Sequence, residues 1–116
     1  MVHGEKKIAK IVEELTMFFF TLGADKMSSG IERVDRGAKI TFRSNYLSEC
    51  EHGIESLEKC LNEPKNEGIE DIYWELAGSG DPGESSQLLL VGMMVDRYEL
   101  KRMENEIELV LYKDLL

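Results

Sequence analysis

Two strand–turn–strand signals, with helical periodicity before and between them, constrain this chain more than any other feature. Lys26 to Val34 reads as a strand and Asp35-Arg36-Gly37 as a turn. Ala38 to Ser44 then reads as a second strand, with Ile40 and Phe42 on one face and Thr41 and Arg43 on the other. The pattern returns near the C-terminus as Tyr98 to Met103, a turn at Glu104-Asn105, and Glu106 to Lys113. In that last strand Ile107, Leu109 and Leu111 alternate with Glu106, Glu108 and Val110. The expectation is an α+β fold in two layers. All four strands share one mixed or antiparallel sheet, and the helices pack on one of its faces.

The helices follow from a different period. In Glu5 to Leu22 the residues Ile8, Ile11, Val12, Leu15, Phe18, Phe19 and Leu22 recur at three- and four-residue steps, and Gly23 marks the stop. A second helix is expected from Ser48, where Ser48 and Glu51 fit a capping box, with Leu47, Ile54, Leu57 and Leu61 as its apolar stripe. Glu49, Glu51, Glu55 and Glu58 give that helix an acidic outer face. Ile69 to Leu76 reads as a short third helix, Ala77 to Ser86 as a glycine-rich loop, and Ser86 to Val95 as a fourth helix. Nothing repeats, and the expectation is one domain over residues 1–116.

Charge and cysteine usage exclude several function classes. The chain carries 23 acids against 14 bases, a net charge of −9, which repels phosphate backbones and anionic lipid. The basic clusters Lys6-Lys7-Lys10 and Arg97-Lys101-Arg102 are interrupted or flanked by acids, so no nucleic acid is expected as a partner. Cys50 and Cys60 fall ten residues apart on one expected helix, about 15 Å of helical rise, too far for a disulfide. Two reduced thiols, no membrane-length apolar run and no signal-peptide core at Met1 to Glu5 lead to the expectation of a cytoplasmic protein away from membranes.

The order helix, hairpin, helices, glycine-rich loop, helix, hairpin resembles the ATP-binding fold shared by sensor histidine kinases, anti-sigma factor kinases, gyrase B, Hsp90 and MutL. Two stretches carry the resemblance: IAKIVEELTMFFFTLGADKMSSGIERVDRGAKITFRS from Ile8 to Ser44, and GDPGESSQLLLVGMMVDRYELKRMENEIELVLYK from Gly80 to Lys113. Together they span more than half of the chain. The resemblance implies a histidine-kinase-like ATPase (Bergerat) sandwich. It also shows where the family's chemistry is missing. In that family the opening helix carries an acid and, four residues later, an asparagine that coordinates Mg²⁺. Here those positions hold Glu14 and Phe18, and a phenyl ring offers a hard cation no oxygen. The family's adenine-reading Asp-x-Gly-x-Gly box falls on Ser44-Asn45-Tyr46-Leu47-Ser48, with neither residue type. Its phosphate-holding glycines open the last helix. Here Gly78, Gly80 and Gly83 lie in the loop before it, Asp81 sits among them, and the helix opens on Ser85-Ser86-Gln87.

No other constellation supplies chemistry. His3 and His52 have no metal-ligand spacing, Cys50 and His52 point to different helix faces, and no serine lies in G-x-S-x-G. Trp74 lies off the stripe formed by Ile69, Tyr73 and Leu76, which makes it the candidate for a partner contact. The expectations are therefore no catalytic residue, no metal and no cofactor. The expected function is that of a pseudo-enzyme: a non-catalytic regulatory or protein-interaction module, anti-sigma-like, that binds a protein partner or a second copy of itself. The alternatives are a divergent ATP-binding protein kinase using Glu14, and a small-molecule-binding α+β domain.

Overall fold

The computed structural model describes residues 4–62, 91–92 and 94–115. The first helix, α1, runs from Gly4 to Thr21 and turns Ile8, Ile11, Leu15 and Phe19 inward, as the three- and four-residue spacing requires. It ends in a Schellman motif. Gly23 takes φ 81°, its N–H donates to the Phe20 carbonyl at 3.1 Å, and the Ala24 N–H donates to the Phe19 carbonyl at 3.1 Å. A left-handed residue is needed there, and glycine adopts it without a Cβ penalty.

Strands β1 (Met27–Val34), β2 (Gly37–Asn45), β3 (Arg97–Met103) and β4 (Glu106–Asp114) form one open sheet in the order β1-β2-β4-β3. Every neighbouring pair is antiparallel, so the single four-stranded sheet expected from the two hairpin signals is present. The hairpin loops place Asp35 at φ 44° and Asn105 at φ 58°, the two residue types whose short polar side chains best tolerate that region.

One face of the sheet carries the core. Ala38, Ile40 and Phe42 of β2 and Ile107, Leu109 and Leu111 of β4 are buried, and they join Ile8, Ile11, Leu15 and Phe19 of α1 in one apolar cluster. Ile54, Leu57 and Leu61 of the second helix, α2 (His52–Leu61), complete it together with Val91 and Met94. The helices thus lie against one face, and the opposite face presents Lys39, Thr41, Arg43, Glu108, Val110 and Tyr112, none fully buried.

The capping box at Ser48 does not form. Ser48–Cys50 is a separate 3₁₀ turn, α2 begins at His52, and neither element has a side-chain cap. The competing pull is tertiary. The Leu47 N–H donates to the Leu22 carbonyl at 3.0 Å, and the Glu51 carboxylate accepts from the Tyr46 hydroxyl at 3.3 Å and pairs with Arg102 at 3.4 Å. Cys50 and Cys60 therefore sit on different elements, each half-buried and outside any disulfide. Residues 91, 92 and 94 are helical, at the end of the expected fourth helix. The expected helix Ile69–Leu76, the loop Ala77–Ser86 and the start of the fourth helix lie outside the described residues. Among the described residues, no helix is long and apolar enough to cross a membrane.

Candidate functional site

The inward flank of α1 is where the resemblance places catalytic chemistry, and the structure gives those positions packing duties. Glu14 is 1% exposed, and its carboxylate pairs with the Lys10 ammonium one turn earlier at 3.1 Å. Lys10 also reaches Glu13 at 3.3 Å. Burial pulls the Lys10 ammonium down, but the hydrogen bonds and charges of Glu14 and Glu13 override it and hold the group above the ordinary amine value. A carboxylate held this way has a cation fixed beside it.

This pair has a pH signature. A raised lysine pKa contributes stability that is complete below the unfolded value of 10.5 and is lost as pH rises through the folded value. In urea melts, the stability of the wild type relative to Glu14→Gln should stay level from neutral pH to about 10 and fall above it. A difference that instead changes between pH 6 and 9 would show that Lys10 is not the group responsible.

Phe18, where the resemblance would expect a metal-binding asparagine, is half-buried rather than fully buried. Its ring meets Phe19 edge-on, with centroids 5.4 Å apart, and Phe19 in turn lies 5.5 Å from Phe42. Phe18 sits in the apolar spacing of α1 yet stays half-buried, because consecutive helical residues point 100° apart and Phe19 takes the central core position.

The segment in place of the adenine-reading box is equally committed. Ser44 is buried and its hydroxyl donates to the Asn45 carbonyl at 2.8 Å. The Asn45 amide oxygen accepts the N–H groups of Asp25 and Lys26 at 3.0 and 3.2 Å, and its NH₂ donates to the Asp25 carboxylate at 2.6 Å. Asn45 thus ties the chain leaving α1 to the end of β2. Tyr46 is buried, with its hydroxyl on Glu51.

Elsewhere, a cleft of about 780 Å³ opens at the end of the sheet beside Asp35, Arg36, Asp96, Arg97, Lys113 and Asp114. Charges of both signs surround it, and several are already engaged. Arg97 stacks 4.2 Å over the Tyr112 ring, and Asp96 accepts the Asp114 N–H at 2.6 Å. Among the described residues, no group of three or more His, Cys, Asp or Glu side chains could hold a metal ion. His52 is exposed on the first turn of α2. Trp74, Gly78, Gly80 and Gly83 lie outside the described residues.

Sequence reasoning missed two exposed apolar side chains. Phe20 of α1 and Ile31 of β1 are 56% and 57% exposed. A groove of about 410 Å³ runs between these two elements, lined by Thr16, Phe20, Met27, Ser29 and Phe42 among others. The run Met17-Phe18-Phe19-Phe20 held the signal. Four consecutive helical residues sweep 300°, so a single buried face cannot take them all. Neither a family model, nor a curated protein, nor a solved structure matches this chain.

Proposed function

We propose that this chain is a non-catalytic regulatory or protein-interaction module built on a degenerate histidine-kinase-like ATPase fold. It acts through protein contacts, in the manner of an anti-sigma regulator. The observation that carries this reading is the exposure of two large apolar side chains, Phe20 of α1 and Ile31 of β1, with β1 an edge strand of the described sheet. Exposed apolar side chains beside a strand edge that is open among the described residues are the physical signature of a docking surface. The positions that resemble an ATP site support the same reading from the other side. Glu14 is neutralised by Lys10, Phe18 packs on Phe19, and Asn45 holds the backbone of Asp25 and Lys26. None of these groups is available to a nucleotide without breaking an existing contact.

Thermal unfolding with ATP–Mg²⁺ tests this. A ligand at a hundred times its dissociation constant stabilises a fold by about 2.7 kcal/mol, which moves the melting temperature of a domain of this size by several degrees. The expected result is no shift at millimolar nucleotide. A reproducible rise of several degrees, absent from Phe18→Arg, would overturn the reading in favour of a divergent ATP-binding kinase.

A further inference from the structure

The open edge of β1 has a geometry that selects its partner. β1 and β3 are the two edges of the described sheet, and they differ in character. β3 carries Arg97, Glu99, Lys101 and Arg102, a dense row of charge of the kind that blocks edge-to-edge pairing. β1 reads MSSGIERV, with no charge from Met27 to Ile31 and one acid and one base thereafter. Six of its eight residues are exposed.

The direction of the free backbone groups follows from one contact. The Lys26 carbonyl accepts the Asn45 N–H at 3.2 Å, so residue 26 faces β2. Strand alternation then turns 28, 30, 32 and 34 toward β2 and points the N–H and C=O of Met27, Ser29, Ile31 and Arg33 out of the open edge. The register places the side chains of these same four residues on the core face, since Ser29 lies opposite Phe42 and Ile31 opposite Ile40. Ile40 is fully buried, whereas its neighbour Ile31 is 57% exposed. The core face therefore continues past the cover of α1 and ends in the uncovered side chain of Ile31, between the exposed Ser29 and Arg33.

We infer that β1 pairs with β1 of a second copy of this chain, antiparallel about a two-fold axis at Ile31. The inference rests on the protein-interaction reading and names its partner. A two-fold axis normal to the sheet keeps both core faces on the same side. It sets Ile31 against the partner's Ile31, and Ser29 against the partner's Arg33. Both positions already aim their N–H and C=O groups outward, so the pairs exchange hydrogen bonds without moving the β1–β2 ladder. β1 as a whole carries no net charge, so an acidic chain meets itself here without local repulsion. The assembly is closed. Among the described residues, its remaining sheet edges are the two charged β3 strands, which stop further growth. With a net charge of −9 on each copy, the long-range repulsion opposing dimerisation is screened by salt, so the dimer should tighten as ionic strength rises.

Sedimentation equilibrium of the full chain over a micromolar concentration series, at low and high salt, tests the proposal against two variants. Ser29→Pro removes only an outward N–H, because a proline is tolerated at an edge strand where its missing donor faced solvent. Ile31→Lys places two like charges on the axis at a side chain already exposed in the single chain. The expected result is a wild-type dimer that tightens with salt and two variants that are monomers with wild-type circular dichroism. A wild type that stays monomeric at every concentration overturns self-pairing but leaves the interaction-module reading to the nucleotide test. A dimer that persists in both variants places the contact elsewhere and overturns the β1 assignment alone.

Discussion

Phe19→Ala should destabilise the protein by about 3–5 kcal/mol, the usual cost of emptying a fully buried aromatic site. Phe19 is 0% exposed and sits between α1 and the sheet, stacked at a tilt against Phe42. Its carbonyl also accepts the Ala24 N–H that closes α1, so its position is fixed by backbone as well as side chain. The cavity left by the ring would be lined by side chains that are themselves close-packed, which limits collapse. The adjacent Phe18→Ala should cost much less, about 1–2 kcal/mol, because that ring is only half-buried and ends at the edge of the core. Urea melts of the two variants side by side give the ratio directly. Equal losses would mean that Phe18 is as deeply packed as Phe19 and that the core extends past the α1 flank.

The contrast between these neighbours also marks how far the sequence can be read. Period-two alternation in Ala38 to Ser44 and in Glu106 to Lys113 located the two central strands. Asp35 and Asn105 marked the turns because left-handed backbone selects their type. The helical period of Ile8 to Leu22 likewise identified the buried stripe of α1. Local pattern could not rank Phe18, Phe19 and Phe20, since each fits an apolar run and only the sheet decides which one faces it. Nor could it reveal that β1 lies at an edge, because the order β1-β2-β4-β3 depends on pairing between residues far apart in the chain. The groove between α1 and β1 was hidden for that reason. The Ser48 cap failed for a related one. Tyr46 and Arg102 draw Glu51 away from it, and Arg102 comes from the opposite end of the chain. The Lys10–Glu14 pair was legible as a spacing of four residues, but its burial was not.

Gly92→Ala should lower stability although alanine is the better helix former. In an exposed helix this exchange gains up to about 1 kcal/mol. Gly92 is instead buried among the helical residues just before β3, where it meets the last turn of α2. A Cβ built on Gly92 would lie 2.8 Å from the Cys60 carbonyl carbon, and closer still to its oxygen. These are backbone atoms, so no side-chain rotation relieves the overlap. Either the end of α2 moves, pulling Leu61 from the core, or the 91–94 stretch backs away and takes Val91 and Met94 with it. Both routes uncover residues of the central cluster. Overpacking of this kind typically costs about 1–3 kcal/mol, so a net loss is expected for alanine and a larger one for Gly92→Val. Chemical denaturation of both variants checks the sign first and the order second. A stabilised Gly92→Ala would mean that α2 and the strand-leading helix do not approach as closely as the fold requires, and that helix propensity alone governs the position.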